Sequence, residues 1–365
     1  MSYEISLVTI TKNSEETLGK TLESVKDLVD EIVLLDTGSS DSTLEIAKSY
    51  NANIFFEEWE NDFSKAKNSA IDKAKGKWIL LLDSDEYLKE DDLQKIKTAI
   101  KNDDVGIFLL TQKSYKQFSS PTYIKLQRLF RNLENIRFKY CLHEIIPETS
   151  LKDYKLTTDI LDVEIEHFGY HSKELYKLKE KRNLNILKNL LLKQNLSNND
   201  FFHYGVYFLR TNLNISKQNS IEKNIGLKLI NLKNNLINNE SFVINQDLFI
   251  FYSVIPEYLI KYLMFEDINL LFFEVEQIYN KSPYILYKYA EAFYKLGNYK
   301  KSIELLERCI SFDLTNCNTE QLIDFGILDN LSYFALSKCY KNLGDIQSEE
   351  KYLKLVKETN NGVNF

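Results

Sequence analysis

The chain is short of the residues that interrupt or staple a fold. Its 365 residues include only four prolines, eleven glycines, four cysteines and four histidines. So little proline and glycine excludes a collagen-like or low-complexity chain and leaves room for long regular segments. The cysteines (Cys141, Cys309, Cys317 and Cys339) have no CxxC spacing, so neither a zinc ribbon nor a disulfide framework is indicated. Reduced thiols and a cytoplasmic setting are the expectation. Positive charge is not in excess: the net charge of −7 argues against a general nucleic-acid binder. The amino terminus lacks the basic and apolar regions of a signal peptide, and no uncharged run reaches membrane-spanning length, so stable membrane insertion is not expected. No GxGxxG or P-loop occurs, which excludes the usual dinucleotide and Walker sites.

What is present is enough for two domains, with 44% hydrophobic and 27% charged residues. The stretch from Lys77 to Tyr87 organises the first half. An apolar run, Trp78 to Leu82, suits a strand buried on both faces and stops at Asp83, Asp85 and Glu86. Ligands of open α/β sheets bind at that carboxyl edge. Asp83 and Asp85 would point the same way if the extended geometry continued past Leu82. Two hard oxygen ligands suit Mg²⁺ or Mn²⁺, though an acidic turn after a core strand is the plainer reading of an isolated Asp-x-Asp.

Strands and helices alternate around it. Residues 4–10 read as a strand, followed by a helix capped at Asn13 with Glu16 completing a capping box. A strand at 31–35 runs into Asp36-Thr37-Gly38, where a turn and a Ser/Asp cluster open a helix to about Tyr50. A short strand at 52–56, a helix capped by Asp62, the strand at 78–82, a helix near 91–101 and a strand at 105–110 follow. This alternation predicts a doubly wound α/β domain, with Thr9, Lys12, Asn13, Asp36, Asp83 and Asp85 around one cleft.

The segments VTITKNSEETL, LVDEIVLLDTGSSDST and WENDFSKAKNSAIDKAKGKWILLLDSDEYL, in that order, resemble the nucleotide-sugar half of family 2, GT-A-fold glycosyltransferases across residues 5–88. The resemblance implies that Thr9 and Asn13 line the nucleotide pocket, that Asp36 meets the base or ribose, and that Asp83 and Asp85 hold a divalent ion. Lys12, Lys67, Asn68, Ser84, Arg128 and Arg131 join the implied nucleotide-sugar contacts; relatives usually carry Arg-Asn where this chain has Lys67-Asn68. The segment RLFRNLENIRFKYCLHEIIPE resembles the acceptor half, with Cys141 or its neighbour replacing a central glycine. His143 and Glu144 are the implied acid–base pair, against the alternative that they only fix a loop. His167, after a strand at 160–166 and before Gly169-Tyr170, is the implied third metal ligand or a diphosphate donor. His171 and His203 are left as surface or packing residues.

From residue 172 strand patterns vanish. A basic amphipathic helix, KELYKLKEKRNLNILKNLLLKQ, places Leu175, Leu178, Leu184, Leu187 and Leu191 for packing. Residues from Ser282 to Phe312 then match a tetratricopeptide unit through Tyr289, Ala290, Leu296-Gly297, Tyr299, Ser302, Leu306 and Ile310. A second unit carries Leu343-Gly344, 47 residues on, beyond the roughly 34 of a regular repeat, so an insertion near Ser311–Phe325 is expected. Residues 200–238 read as a degenerate earlier unit. The expected architecture is therefore an α/β, GT-A (Rossmann-like) catalytic domain at 1–171 and an all-α tetratricopeptide-like domain at 172–365. The latter would dock an acceptor or pair two copies as a homodimer.

This layout resembles the sublancin-type bacteriocin peptide S-glycosyltransferases. It implies inverting transfer of a hexose from a UDP-sugar, UDP-glucose foremost, to a Cys or Ser of a ribosomal precursor peptide, with Mg²⁺ or Mn²⁺. The alternatives are a transferase acting on cell-surface glycan or lipid-linked acceptors, and a non-enzymatic repeat scaffold.

Overall fold

The computed structural model describes residues 3–115, 121–168, 173–193, 195–213, 220–236, 242–312 and 323–361. Gly169, Tyr170, His171, Cys317 and the expected boundary at 171/172 lie outside them. Contacts divide the chain into two compact units. One is formed mainly by the residues up to Gln117 with Tyr123–Lys179, the other mainly by Glu180–Glu240 and the residues from Ile244 on.

The first unit is built on a mixed sheet. Strands β1 (Ile5–Thr11), β2 (Glu31–Asp36), β3 (Asn53–Phe56) and β4 (Trp78–Leu81) alternate with helices α1 (Leu18–Val25), α2 (Thr43–Ser49) and α3 (Phe63–Ile71). Then come β5 (Glu86–Leu88), α4 (Glu90–Ala99), β6 (Val105–Ser114), β7 (Thr122–Arg131), α5 (Thr149–Lys152) and β8 (Thr157–His167). The strand order is β3-β2-β1-β4-β7-β6-β8-β5. β1 to β4 pair in parallel, as the alternation predicts, whereas β7 runs antiparallel to β4. β6 and β8 pair in parallel again and β5 runs antiparallel to β8, so the sheet is mixed beyond β4 and not doubly wound throughout.

The period of two in the strands explains the layers. Leu7, Leu34 and Leu80 face a core shared with Leu22, Ala47 and Ile96 of α1, α2 and α4. Val8, Val33 and Leu81 face the opposite core with Ala66, Ala70 and Ile71 of α3. Each leucine buried in this way contributes about 1.5–3 kcal/mol. Asp62 caps α3 as expected, its side chain accepting from Lys65 N at 2.9 Å. The expected capping box at Asn13 does not form. α1 begins at Leu18 behind Thr17, without a side-chain cap, and Asn13 adopts a left-handed backbone with φ 50°. Its Oδ1 instead accepts from Ser40 N at 2.8 Å and joins the β1–α1 loop to the turn after β2.

The boundary helix α6 (Lys173–Leu191) forms, with Leu187 buried but Leu178 exposed, contrary to the uniform packing expected. The second unit is helical: α7 (Asn198–Asn212), α8 (Ser220–Leu236), α9 (Phe242–Lys261) and α10 (Phe265–Ile278) precede the repeat pairs. α11 (Pro283–Lys295) pairs with α12 (Tyr299–Ile310), and after α13 (Phe325–Leu328), α14 (Asn330–Leu343) pairs with α15 (Ile346–Asn361). Ser282 caps α11 with Pro283 in its first turn, and Gly344 ends α14 at φ 75°. Tyr289 and Ala290 are fully buried, and Ser302 Oγ donates to Ala290 O at 2.9 Å across the pair. His203 is a packing residue: it is buried in α7 with Nδ1 3.0 Å from Asp247 Oδ1 of α9.

One tight approach holds β4 in register. A Cβ on Gly76 would lie 2.6 Å from both Ser6 N and Ser6 Oγ, and that hydroxyl accepts from Gly76 N at 2.8 Å while donating to the buried Glu31. We expect Gly76→Ala to destabilise the protein by about 1–3 kcal/mol. Urea unfolding with an unchanged or raised midpoint would contradict this packing.

Candidate active site

The carboxyl edges of the parallel strands converge because β1 and β2 end side by side at Thr11 and Asp36, and Leu82 N donates to Val8 O just past β4. At that edge the chain does not stay extended. It turns between Asp83 and Glu86, closed by Glu86 N to Asp83 O at 3.0 Å and Asp83 N to Glu86 Oε2 at 2.9 Å. The turn overrides the shared direction expected of Asp83 and Asp85. The two carboxylates part company and acquire different neighbours.

Asp83 turns towards cations. Its Oδ2 accepts from Arg128 Nη2 at 2.8 Å, and Lys67 Nζ lies 3.7 Å from Oδ1. Arg128 is brought there by β7, which runs back along β4, and the same Nη2 donates to Glu86 Oε1 at 2.7 Å. Glu86 is fully buried. Burial pushes the Asp83 carboxyl up, but the Arg128 and Lys67 charges outweigh it and hold the group well below the usual carboxylate range. Burial lowers Arg128 in turn, yet Asp83 and Glu86 more than compensate and raise it. Glu86 is raised by burial, in spite of Arg128.

Asp85 turns the other way. Its Oδ1 lies 3.6 Å from His167 Nε2, and Lys179 Nζ lies 3.7 Å from Oδ2. Burial raises Asp85, and the imidazole beside it brings it back below the usual value; His167 is lowered by burial and raised by Asp85 to a net increase. β8 carries His167 opposite Glu86 on one side and Ser114 on the other, and Ser114 Oγ is 2.9 Å from His167 Nδ1. The ring of Phe168 is stacked between Tyr87 and Tyr115, at 5.3 and 4.7 Å.

His143 and Glu144 sit in a tight connection closed by paired hydrogen bonds between Lys139 and Ile145. Tyr140 and His143 both take left-handed backbones there, at φ 71° and 55°. Glu144 is paired with the buried Lys67, which brings it to the Asp83 side of the site. Asn68 and Gln127 pin this connection from two sides. Asn68 exchanges two hydrogen bonds with the backbone of Phe138, and Gln127 two with that of Ile146.

The sequence-expected residues therefore separate into groups. Lys67, Asp83, Arg128 and Glu144 form one cluster, and Asp85 with His167 a neighbouring pair. Ser84 is bonded to Ser14 at 2.8 Å, and the exposed Lys12 reaches beside Gly38 at the same rim. Four residues sit otherwise than expected. Arg131 lies opposite Trp78, at the start of β4 and the far end of the sheet, where its guanidinium covers that ring and donates to Val105 O. Asn68 commits its amide to Phe138. Thr9 is fully buried within β1. Asp36 is buried and turns both oxygens onto the backbone of Gly38 and Ser39. Glu86, Gln112 and Ser114 escaped sequence reasoning as site residues. Polar residues at alternate positions 112 and 114 of an apolar strand were the available signal.

No group of three or more His, Cys, Asp or Glu is arranged to hold a metal ion among the described residues. At the carboxyl edge, Asp85 and His167 set a carboxylate oxygen and an imidazole nitrogen facing each other. We expect Arg128→Ala to cost about 3–5 kcal/mol, because it strands the buried Glu86 without its cation. Arg131→Ala, which strands no buried carboxylate, should cost less. Urea unfolding of both variants checks the contrast, and a loss confined to Arg131→Ala would reverse it.

Residues 6–153 match the family model described as Glycosyl transferase family 2, and residues 283–316 and 332–361 match the model described as Tetratricopeptide repeat. A TPR repeat-containing protein of Synechococcus elongatus is 36% identical over 173 residues, 46% of this chain and 42% of that protein. The SPbeta prophage-derived glycosyltransferase SunS of Bacillus subtilis is 31% identical over 187 residues, 50% of this chain and 44% of SunS. The match thus spans less than half the length of either relative. Among solved structures, S. aureus TarS 1–349 in complex with UDP-GlcNAc aligns over 99% of this chain and 93% of its own, at 14% identity and a TM-score of 0.40. Glucosyl-3-phosphoglycerate synthase from Mycobacterium tuberculosis, in complex with Mn²⁺ and UDP-glucose, aligns over 52% of this chain and 78% of its own, at 15% identity and a TM-score of 0.35. Residues 6–153 are thus similar to the family 2 glycosyltransferases and residues 283–316 and 332–361 to tetratricopeptide repeats, and half of the chain is similar to SunS.

Proposed function

We propose that the protein is an inverting transferase that moves a hexose from a UDP-sugar, UDP-glucose foremost, to a Cys or Ser side chain of a precursor peptide. The observation that carries this reading is the split Asp-x-Asp turn. One carboxylate is set among cations suited to a diphosphate, and the other beside an imidazole, at the carboxyl edge of a family 2 domain joined to repeat helices. The similarity to SunS supports a glycosyltransferase, and the repeats supply a surface type that commonly binds extended segments, which suits a peptide acceptor.

Lys67 and Arg128 place positive charge where the departing nucleoside diphosphate would lie. Asp85 and His167 suit a hard divalent cation that keeps its remaining positions for water and phosphate oxygens. When bound, Mg²⁺ or Mn²⁺ would offset the negative charge on the leaving diphosphate. Asp83, held by Arg128 and Lys67, fits the same ion less directly. The acceptor sulfur or oxygen forms its bond to the anomeric carbon as the bond to the diphosphate oxygen breaks. The acceptor proton passes to Glu144 or His143, whose loop is held close to Asp83 through Lys67. A thiol needs the least help, since its own pKa lies near the working pH. The helical unit would hold the peptide, or pair two copies of the chain.

UDP release should be measured across a panel of UDP-sugars with Mg²⁺ or Mn²⁺, with and without a Cys-containing precursor peptide. A hexose-sized mass gain on the peptide, lost when its Cys becomes Ala, is the expected result. Release of UDP without a peptide product would move the acceptor to glycan or lipid-linked sugars. Silence with every donor would leave a scaffold. Asp83→Ala and Asp85→Ala should each lower transfer by roughly a hundredfold or more, with the fold intact by circular dichroism. Unchanged turnover in both would remove the proposed roles.

A further inference from the structure

A continuous buried chain of polar side chains joins Asp83 to Asp85 by the long way round. It runs from Asp83 through Arg128 to Glu86, across to Gln112 and Ser114, and ends at His167, which faces Asp85. Its interior members, Arg128, Glu86, Gln112 and Ser114, are all at least nine-tenths buried. The sheet makes this geometry: Glu86, His167 and Ser114 lie in one row across β5, β8 and β6, and Gln112 lies two residues back on the face it shares with Ser114.

The chain has a direction that follows from counting donors and acceptors. Glu86 receives the backbone N–H of Asp83 and the Nη2 of Arg128, neither of which can accept, so its carboxylate is the acceptor terminus. Gln112 must therefore present its NH₂ to Glu86. That leaves the Gln112 carbonyl facing Ser114, 3.2 Å from Oγ, and the serine hydroxyl must donate to it. With its proton spent, Ser114 Oγ can only accept from His167 Nδ1, 2.9 Å away. Nδ1 then carries a proton, and in the neutral ring the lone pair falls on Nε2, the nitrogen turned towards Asp85.

We propose that Gln112 and Ser114 are positioning residues that fix His167 as its Nδ1–H tautomer and so offer Nε2, beside the Asp85 carboxylate, to a divalent cation. The inference rests on the cation reading given above, but its first half concerns the metal-free protein alone. Partners of this kind orient a ligating imidazole, and their loss commonly weakens metal binding 10–100-fold.

The test is ¹⁵N-histidine NMR on the full chain without metal, at alkaline pH where the imidazole is neutral. Only four histidines contribute, and His167→Ala assigns the signal. The wild type should show the Nδ1–H tautomer at His167, Ser114→Ala should revert towards Nε2–H, and Ser114→Thr should retain the native pattern. In parallel, Mn²⁺ titrated calorimetrically should bind Ser114→Ala at least about tenfold more weakly than wild type. An Nε2–H tautomer in the wild type overturns the proposal whatever the variants do. So does an unchanged tautomer and Mn²⁺ affinity in Ser114→Ala. A wild type with the Nδ1–H tautomer but no Mn²⁺ binding abolished by His167→Ala overturns the cation reading and the second half of the proposal, while the relay stands.

Discussion

The site depends on a cation that the protein has taken almost wholly out of water. Arg128 is buried between Asp83 and Glu86, and a single nitrogen of its guanidinium serves both. Removing a guanidinium and a carboxylate from water costs several kcal/mol per ion, and only close opposite charges with further hydrogen bonds offset it. The turn after β4 supplies them, since Glu86 folds back to take the Asp83 N–H and closes on the arginine. Because Glu86 is anchored inward, Asp83 and Asp85 on the same short turn are driven to opposite sides. The antiparallel return of β7 is what delivers Arg128 to that point, so the departure from an all-parallel sheet is part of the site.

The layers of the fold were legible because they depend on short-range periodicity. The apolar runs at 5–11, 31–36 and 78–81, the Asp62 cap and the Leu-Gly turns of the repeats all follow from rules that act within a few residues. The carboxyl-edge location of Asp83 was legible for the same reason. What was not legible depends on partners far off in sequence. Asn13 reads as a cap, yet its amide is claimed by Ser40, 27 residues on. Arg128 and Arg131 look equivalent on one strand, but three residues along an antiparallel strand separate opposite ends of the sheet. Whether Asp83 and Asp85 point together depends on where the strand stops, and it stops one residue earlier than the apolar run.

The helical unit follows a different logic. Its core is lined with aromatic side chains, Phe202, Phe251, Tyr252, Tyr258 and Tyr289 being fully buried. Polar atoms carried inside with them are mostly satisfied locally. Tyr252 donates to Glu274 at 2.8 Å, Lys233 pairs with the same carboxylate, and Tyr258 donates to Lys223 O. Such pairs favour one arrangement of stacked helices over others of similar apolar content, a specificity that leucines alone give poorly.

Three carboxylates within four residues thus have three different environments, and environment decides what a carboxylate can do. Glu86, fully buried beneath an arginine and an amide, is a structural anchor. Asp83 is flanked by two cations, so its negative charge is largely answered before any ligand arrives. Asp85 faces an imidazole, and its other oxygen lies 3.7 Å from the half-buried Lys179. On the proposed reading, a hard cation would compete less easily with the buried guanidinium at Asp83 than with the half-buried ammonium at Asp85. The second aspartate of the motif would then be the stronger ligand, and the first would hold Lys67 and Arg128 beside it.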